Sequence, residues 1–260
     1  MGQGTGGGVI YLKSPSEIEK MRSANQIIVL AMKEIQRLLC PGITTLELDA
    51  QAEAIVLKAG AKPAFKGYRG YAHTLCVSVN EEVVHGIPGP RKLEEGDIVS
   101  IDCGVLYEGF YGDHAWTFPV GKISAKAKKI LEVGEISLNI GIREMKMGNR
   151  VHDISSAIQK YVEGEGFSVV RDFVGHGIGR DLHEEPQVPN FGDAGTGVRL
   201  KPGLVLALEP MVNEGTSDVE TLEDGWTVVT KDRKLSVHFE HSVALTETGT
   251  EVLSSWQKKS

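Results

Sequence analysis

Residues 96–113 of the chain read GDIVSIDCGVLYEGFYGD. Two runs rich in β-branched and aromatic residues flank a short turn, which is typical of a β-hairpin. Counting outward from a turn centred between Tyr107 and Glu108 puts Asp102 directly opposite Asp113. Opposed carboxylates on a hairpin lie about 5 Å apart and repel each other unless a cation lies between them or they share a proton. The alternative is a solvated hairpin whose acids point to water, and this pair alone does not decide between the two.

The first part of this stretch recurs later in the chain. GDIVSID at residues 96–102 aligns with GLVLALE at residues 203–209, so each segment ends in a carboxylate six residues after a glycine. An offset of 106 residues also superimposes an earlier set, Gly42, Leu48, Val56 and Gly60, on Gly148, Ile154, Val162 and Gly166. Because element order and carboxylate position agree, we expect two α+β halves, about residues 13–122 and 123–255. A pseudo-twofold axis would relate them, with a cleft between.

Capping and breaking residues mark the predicted helices of each half. Ser14-Pro15-Ser16-Glu17 is a capping box with proline at the first helical position, and it predicts a helix to about Leu39. A second helix is predicted over residues 45–59, a long third helix from about Ala125, and a fourth that ends at Gly164. Strands are predicted around residues 74–79, 97–105, 111–120, 168–174, 203–209, 226–230 and 235–245.

Composition excludes several classes of protein. A chain of 260 residues can bury a substantial core, and no apolar stretch approaches the ~20 residues of a membrane span. The formal charge of −7, without a long cluster of lysine or arginine, argues against a nucleic-acid partner. The three cysteines match neither a disulfide framework nor a CxxC metal site, which favours a reducing compartment. We expect residues 1–12 to be a flexible glycine-rich leader or cloning remnant, and residues 13–260 to form a single domain.

Two more acids occupy apolar surroundings. Glu209 follows the apolar run 204–208, which Pro210 ends, and Glu240 lies within the apolar run 236–243, which is predicted to be one strand. An acid at such depth needs a partner, and each could pair with an arginine or a lysine. Four carboxylates on strands from both halves are more simply explained as oxygen ligands that converge in the cleft.

Three of the eight histidines lie in Gly/Pro-rich segments that are predicted to be loops. His176 is flanked by glycines in GHGIG, so backbone can approach its ring closely; His183 precedes EEP, and His85 opens HGIPGP. A histidine in a loop is usually a surface residue, but three beside acid-bearing strands favour an active-site role. His241 alternates with apolar neighbours and is interpreted as a structural or supporting residue. No motif recommends the other four, His73, His114, His152 and His238.

Four carboxylates and one imidazole make an unusual donor set. A structural zinc ion would prefer a closed tetrahedral site rich in Cys and His. The O₄N set suits instead a pair of divalent ions about 3.5–4 Å apart, bridged by carboxylates and a water. Because two ions acidify such a water, the expected chemistry is hydrolysis. The set does not select among Mn, Fe, Co and Zn.

The motifs around these residues closely resemble those of the type I methionine aminopeptidases, a family with the pita-bread fold. The matching motifs are VNE at 79–81, HGIP at 85–88, Asp102 and Asp113 eleven residues apart, GHGIG at 175–179, HEEP at 183–186, LEPM at 208–211 and FEH at 239–241. The resemblance covers about residues 13–253 and implies an α+β fold with an antiparallel sheet core covered by helices. Type II enzymes carry a long insertion between the His and Glu motifs, whereas here His176 and Glu209 are 33 residues apart.

The resemblance also implies a role for each matching residue. Two divalent ions would be bound by the family's five ligand positions, which here are Asp102, Asp113, His176, Glu209 and Glu240. Asp113 and Glu240 would bridge both ions, and Glu209 would also be the general base. His85 and His183 would contact the peptide and stabilise the oxyanion. The pocket for the terminal methionine would be formed by Tyr68, Tyr71, Cys76, Trp226 and Phe65, the last at a position where some members carry Cys.

The implied activity is removal of the initiator methionine from nascent polypeptides whose second residue is small. By resemblance we expect a monomer in the cytoplasm, or in an organelle as a mature form, with a transient ribosome contact and no membrane or specific nucleic-acid partner. One alternative is a proline-directed or general aminopeptidase of the same fold. Another is a non-catalytic binding protein of this fold that docks on ribosomes or regulators. Such relatives tend to lose metal ligands, whereas this chain has all five.

Overall fold

The structure, a computed structural model, describes residues 9–256. Four α-helices lie within these residues: α1 (Pro15–Leu38), α2 (Thr45–Lys58), α3 (Ala125–Glu144) and α4 (Val151–Gly164). The strands are mostly short: β1 (Lys62–Pro63), β2 (Leu75–Val79), β3 (Glu82–Val84), β4 (Ile98–Tyr107), β5 (Phe110–Pro119), β6 (Ser168–Val169), β7 (Gly175–Gly177), β8 (Glu184–Val188), β9 (Val205–Leu208), β10 (Met211–Asn213), β11 (Val219–Thr221), β12 (Val228–Thr230), β13 (Ser236–His238), β14 (His241–Thr246) and β15 (Gly249–Val252). No helix of the described part is long and apolar enough to cross a bilayer.

The helices begin where the capping residues predict. The side chain of Ser14 accepts a hydrogen bond from the amide of Glu17, and the Glu17 carboxylate accepts one from the amide of Ser14 at 2.9 Å. Thr44 and Glu47 form the same reciprocal pair at the start of α2. Capping of this kind satisfies backbone donors that the first helical turn leaves unpaired, so both helices are fixed at their N-terminal ends.

All strand pairings within residues 9–256 are antiparallel. One sheet has the order β1-β4-β2 with β5 paired to β4, and another has the order β15-β14-β9-β7-β8. There are also two three-stranded sheets, β13-β10-β6 and β11-β12-β3. The β12–β3 pair joins the late part of the chain to the early part. One apolar core lies under α1 and α2 and a second under α3 and α4. This arrangement confirms the prediction of an α+β fold with helices over antiparallel sheets.

The offset found in the sequence also relates structural elements. Helices α2 and α4 both have 14 residues and begin 106 positions apart, at Thr45 and Val151. The preceding glycines, Gly42 and Gly148, have nearly equal φ angles of 97° and 94°. These observations support a duplicated architecture, and the boundaries of the two repeats and of the single domain stay predictions. Residues 1–8 of the expected leader lie outside the described residues, while Ile10 packs against the core under α3 and α4.

The hairpin of residues 96–113 has a different register from the predicted one. Its turn is Glu108–Gly109, with φ angles of 49° and 81°, as a two-residue loop with left-handed central residues requires. Consequently Asp102 pairs with Ala115, and Asp113 pairs with Gly104. The prediction that the two aspartates are directly opposed was wrong by two residues. Because side chains alternate with a period of two, both carboxylates still lie on the same face of the sheet.

Two further predictions about strands were wrong. The predicted strand over residues 235–245 is interrupted at residues 239–240, between β13 and β14, so Glu240 lies in the break rather than within a strand. His176 was expected in a glycine-rich loop but lies at the centre of β7. A Cβ atom on Gly175 would lie 2.5 Å from the Ala207 carbonyl oxygen, and one on Gly177 would clash with the carbonyl oxygen of Glu185. Glycine is therefore required by close strand packing here, and it does not mark a loop.

Candidate metal centre and cleft

A single cleft of about 450 Å³ collects the residues that the sequence analysis selected. Its lining includes all twelve of them: Phe65, Tyr68, Tyr71, Cys76, His85, Asp102, Asp113, His176, His183, Glu209, Trp226 and Glu240. These residues are far apart in sequence and come from both parts of the chain. The fold therefore brings the predicted ligands and the predicted pocket residues to one place.

The five candidate ligands are carried by paired strands and by breaks between strands. Asp102 lies on β4 and Asp113 on β5, which pair with each other, and His176 lies on β7. Glu209 and Glu240 each lie in a two-residue break, the first after β9 and the second before β14. Because β9 and β14 pair antiparallel, with Leu208 opposite His241, the two breaks are adjacent. Strand pairing thus positions all five side chains.

The ligand atoms of three residues already form a compact cluster. One atom each from Asp113, His176 and Glu240 lies within 4.8 Å of the others. The Nε2 atom of His176 is 3.5 Å from Oε1 of Glu209 and 4.0 Å from Oδ2 of Asp113. The Nδ1 atom of His176 lies 2.9 Å from the Gly177 carbonyl oxygen, which can only accept, so Nδ1 carries the proton. This leaves the Nε2 lone pair directed at the carboxylates, as a metal-binding histidine requires.

No lysine or arginine of the described residues pairs with the four carboxylates. Within residues 9–256 their ion pairs involve histidine only, so the alternative of acids paired with arginine or lysine is not found. Burial raises the pKa of Asp102 to about 7 and that of Glu209 to about 8. Burial, followed by neighbouring carboxylates, also raises the pKa values of Asp113 and Glu240. Such a cluster is unfavourable when ionised unless cations neutralise it.

Two buried oxygens of this cluster have no hydrogen-bond partner within the described residues. They are Oδ1 of Asp102 and Oε1 of Glu240. A buried acceptor without a partner is costly, so its retention needs an explanation such as a bound ion. Oxygen-rich donor sets with one imidazole suit divalent cations. The residues present therefore fit a divalent metal site.

His238 is a residue of the site that sequence reasoning missed. Its Nε2 atom lies 3.5 Å from Oε2 of Glu209, whereas His176 contacts Oε1, and the ring of His238 is buried. Burial lowers the pKa of His238, so it is neutral near pH 7. Its position two residues before Glu240 was the available signal, because alternating residues of a strand share a face.

The two remaining histidines of the cleft flank the candidate ligands. The Nδ1 atom of His183 is 3.1 Å from the hydroxyl of Tyr68, and its ring centroid is 4.4 Å from that of His176. His85 has a left-handed backbone with φ 61°, directly after β3. Burial lowers its pKa to about 4, so the ring is neutral near pH 7 and keeps one N–H donor. Both imidazoles can therefore donate a hydrogen bond to a bound molecule.

Five lining residues of the cleft belong to one hydrophobic cluster, and we call them the apolar pocket: Phe65, Tyr68, Tyr71, Cys76 and Trp226. The rings of Tyr71 and Trp226 pack edge to face with centroids 4.9 Å apart. The Tyr71 hydroxyl donates to the backbone, 2.9 Å from the Leu75 carbonyl oxygen and 3.1 Å from that of Gly86. The hydroxyl group of Tyr71 is therefore hydrogen-bonded, and its ring is left to line the pocket. Burial raises the pKa of the Cys76 thiol, which keeps it protonated and weakly polar.

The cleft has further lining residues that no sequence signal indicated. These are Arg69, Asp172, Phe173, Val174, Leu182 and Gln187. Phe173 supports His85, with ring centroids 5.5 Å apart. Arg69 has a left-handed backbone with φ 48° and lies over the ring of Tyr68 at 5.4 Å. Apart from Gln187 on β8, these residues lie outside the α-helices and strands, in segments whose conformation periodicity does not encode.

The chain is similar in sequence to one metallopeptidase family and to several methionine aminopeptidases. Residues 19–247 match Metallopeptidase family M24. Methionine aminopeptidase 1 of Bacillus subtilis (strain 168) is 56% identical over 246 residues, which cover 95% of this chain and 99% of that protein. The methionine aminopeptidase of Escherichia coli (strain K12) is 45% identical over 247 residues, 94% of each chain.

Solved structures of methionine aminopeptidases have the same fold as this chain. The methionine aminopeptidase of Thermotoga maritima superimposes with a TM-score of 0.93 at 48% identity, over 95% of this chain and all of that one. A prolidase from Pyrococcus furiosus has a TM-score of 0.76 at 23% identity and covers 95% of this chain and 66% of its own. At that identity the prolidase shows a shared fold only.

Proposed function

The chain belongs to the methionine aminopeptidases of metallopeptidase family M24, and on this premise we propose that its cleft removes the N-terminal methionine from nascent polypeptides whose second residue is small. The observation that carries the proposal is the cleft itself. Its lining combines a carboxylate-rich divalent metal site with an apolar pocket, and the residues that carry both are those of the family's motifs.

The metal site would hold two divalent ions through Asp102, Asp113, His176, Glu209 and Glu240. The number of carboxylate oxygens supports two ions, because four buried acids supply more negative charge than one ion neutralises. When bound, such a pair supplies Lewis-acid polarisation of the scissile carbonyl and an acidified water as nucleophile. The donor set leaves the identity of the metal open among Mn, Fe, Co and Zn.

Glu209 is the proposed general base. It would take up the proton that the attacking water loses and return it to the amine of the departing chain, so no net proton is consumed. Its position supports this role, because its carboxylate lies between two neutral imidazoles, with Oε1 3.5 Å from His176 and Oε2 3.5 Å from His238. Asn190 donates a hydrogen bond of 3.1 Å to the Glu209 carbonyl oxygen, which fixes the backbone of the break.

His85 and His183 would bind the peptide and donate hydrogen bonds to the oxyanion. Preorganised donors that face developing negative charge lower the barrier of acyl transfer. Tyr68 supports His183 in this role, since their hydrogen bond occupies Nδ1 and leaves Nε2 for the substrate. The apolar pocket would bind the methionine side chain, because aromatic walls and a thiol favour a polarizable thioether.

A paired peptide assay tests the proposed function. Metal-loaded protein is expected to cleave Met-Ala-Ser and spare Met-Lys-Ser, and Glu209→Gln is expected to be nearly inactive. Glu247→Gln, at an exposed acid, serves as the control and should keep full activity. Intact Met-Ala-Ser after incubation with metal-loaded protein would refute the proposal. Faster turnover of an Xaa-Pro peptide would favour a proline-directed enzyme, and the absence of a tight divalent site would favour a non-catalytic binding protein.

Three finer attributes belong to the same proposal. We propose a monomer that acts in the cytoplasm and contacts the ribosome transiently. Nascent chains as substrates support the last two attributes, because the terminal methionine first becomes accessible where the chain emerges. Sedimentation of the purified protein and co-sedimentation with ribosomes at several salt concentrations test the oligomeric state and the contact separately.

A further inference from the structure

Behind the metal centre, on the side away from the cleft, two buried imidazoles stack on each other. The rings of His114 and His241 have centroids 4.7 Å apart and planes only 7° apart. We call these two residues the imidazole pair. His114 follows the ligand Asp113 in sequence, and His241 follows the ligand Glu240. The pair therefore joins the backbone segments that carry two of the clustered ligands.

A hydrogen bond connects the imidazole pair to Glu240 directly. The Nδ1 atom of His114 bonds to the carbonyl oxygen of Glu240. Because a carbonyl oxygen only accepts, Nδ1 of His114 must donate. The amide of Glu240 in turn donates to the carbonyl oxygen of Ala115 at 2.8 Å. Both peptide groups of Glu240 are thus held by residues directly after Asp113.

The chain's last described segment completes this network through Ser254. The hydroxyl of Ser254 lies 2.8 Å from Nδ1 of His241 and accepts a hydrogen bond of 3.1 Å from the amide of Ser242. The hydroxyl of Ser242 in turn bridges both backbone groups of Asp113: it accepts from the amide at 3.1 Å and donates to the carbonyl oxygen at 2.8 Å. Both serines are fully buried, so water does not compete for these bonds.

Trp256 packs against the His114 ring of the imidazole pair. Its ring packs edge to face on His114 with centroids 5.4 Å apart, and on Trp116 at 5.2 Å. The segment that carries Ser254 and Trp256 is therefore docked against the back of the metal centre.

We propose that His114 is a positioning residue for the metal centre, which fixes the backbone of Glu240 relative to Asp113, and that Ser254 supports it by holding His241 and Ser242. The inference rests on the metal site of the proposed function. Residues that orient metal ligands from behind commonly tune metal affinity through such hydrogen bonds.

Packing alone does not account for a histidine at position 114. Its Nε2 atom is buried and has no hydrogen-bond partner within residues 9–256. A phenyl or leucine side chain would fill the space without leaving a buried nitrogen unpaired, so histidine is disfavoured here unless its Nδ1–H is needed. The donation to Glu240 supplies that need.

Two substitutions of His114 distinguish the effect of its Nδ1–H donor from the effect of its ring packing. Asparagine places an amide N–H near the position of Nδ1, whereas leucine removes the donor, and both lose the ring stacking. The full-length protein is stripped of metal and titrated with Co²⁺ by calorimetry and visible absorption. His114→Leu is expected to weaken Co²⁺ binding by about 10- to 100-fold and to change the Co²⁺ spectrum. His114→Asn is expected to stay within a few-fold of the parent protein with an unchanged spectrum.

Ser254→Ala gives a second measurement that keeps both side chains of the imidazole pair. It is expected to weaken Co²⁺ binding by a smaller factor, since it acts through His241 and Ser242. Equal Co²⁺ affinity in the parent protein, His114→Leu and Ser254→Ala would overturn the inference, as would losses in His114→Leu and His114→Asn that match. A parent protein that binds no Co²⁺ would instead refute the proposed function, so the two failures are distinguishable.

Discussion

Cys76 and Asp102 are direct partners across the antiparallel pair of β2 and β4. Their side chains share one face of the sheet, so the apolar pocket and the metal centre are adjacent positions of a single strand pair. Cys103, the next residue of β4, points to the opposite face and lies in the core under α1 and α2. One step along the strand therefore changes a residue's environment from substrate cleft to hydrophobic core.

We predict that Cys76→Ala raises KM for Met-Ala-Ser about fivefold and leaves kcat nearly unchanged. Loss of a buried thiol contact removes roughly 1 kcal/mol of substrate binding that ground state and transition state share. Cys103→Ala is the matched control and should lower Tm without changing KM. Steady-state kinetics and thermal unfolding measure both. A fall in kcat at constant KM for Cys76→Ala would contradict the assignment of Cys76 to the pocket.

A second prediction concerns the metal-free protein. The folded-state pKa values of Asp102, about 7, and Glu209, about 8, lie above those of unfolded acids, so their stabilising contribution is lost as pH rises through these values. Buried neutral histidines act in the opposite sense, because unfolded histidines with a pKa of about 6.5 still bind protons up to about pH 7.5. Between pH 7.5 and 8.5 the free energy of unfolding of stripped protein is therefore expected to fall by about 1 kcal/mol.

Urea unfolding across this pH range, with and without Co²⁺, tests the prediction. Bound ions favour the ionised carboxylates, so the stabilisation that Co²⁺ confers should grow with pH. Glu209→Gln removes one of the titrating groups and is expected to flatten the pH dependence of the stripped protein. Stability of the stripped parent protein that rises from pH 7.5 to 8.5 would show that these carboxyl groups do not carry raised pKa values.

Local patterns predicted much of the helical structure. The Ser14–Glu17 capping box fixed the start of α1, and the offset of 106 residues correctly matched α2 with α4. The helix starts and the turn glycines behind these predictions depend on contacts between residues close together in the sequence. The positions of the acids and of His85, His176 and His183 relative to Gly and Pro were likewise sufficient to select residues that meet in one cleft.

Features that depend on tertiary contacts were not predictable. The hairpin register depends on a left-handed backbone at Glu108, a residue type that rarely signals one. Gly177 suggested a loop because glycine is common in loops. In the structure it is needed because the carbonyl of Glu185 packs directly against it. The spacing of His238 from Glu240 was its one sequence signal, and it did not indicate Glu209, because that contact arises only when β13 meets the break after β9.

A third prediction concerns Lys13 and Glu184, whose side chains form a buried ion pair at 2.6 Å, 4% and 5% exposed. The same carboxylate accepts a hydrogen bond of 2.7 Å from the amide of Arg180, so it holds the loop that leads to His183. Lys13→Met leaves a buried charge without its partner and is expected to cost about 3–5 kcal/mol of unfolding free energy. We also expect kcat/KM to fall because His183 loses its support.

The double variant Lys13→Met/Glu184→Gln should recover part of the lost stability, since it removes the unpaired charge. Arg37→Met breaks the exposed Arg37–Glu34 pair and should leave stability unchanged. Urea unfolding of the four proteins measures these differences. A loss for Lys13→Met no larger than that for Arg37→Met would show that the buried pair contributes nothing.

The last prediction concerns Gly104, which lies opposite Asp113 on the hairpin and faces Phe65 of the apolar pocket. A Cβ atom at Gly104 would lie 2.6 Å from Cε1 of Phe65, so Gly104→Ala must push the ring toward the cleft. Overpacking of this kind costs typically 1–3 kcal/mol, and we expect kcat/KM for Met-Ala-Ser to fall about tenfold. Gly164→Ala, where a Cβ would meet nothing within 4 Å, is the control.

Phe65→Cys supplies the space that Gly104→Ala needs, so the double variant should be more active than the sum of the two single effects predicts. The coupling free energy of this double-mutant cycle is the quantity to measure. Additive effects would mean that the alanine methyl does not act through the Phe65 ring. Positive coupling would show that the side chain tolerated at position 104 depends on the size of residue 65. Position 104, opposite the candidate ligand Asp113, would then also limit the space available to the pocket.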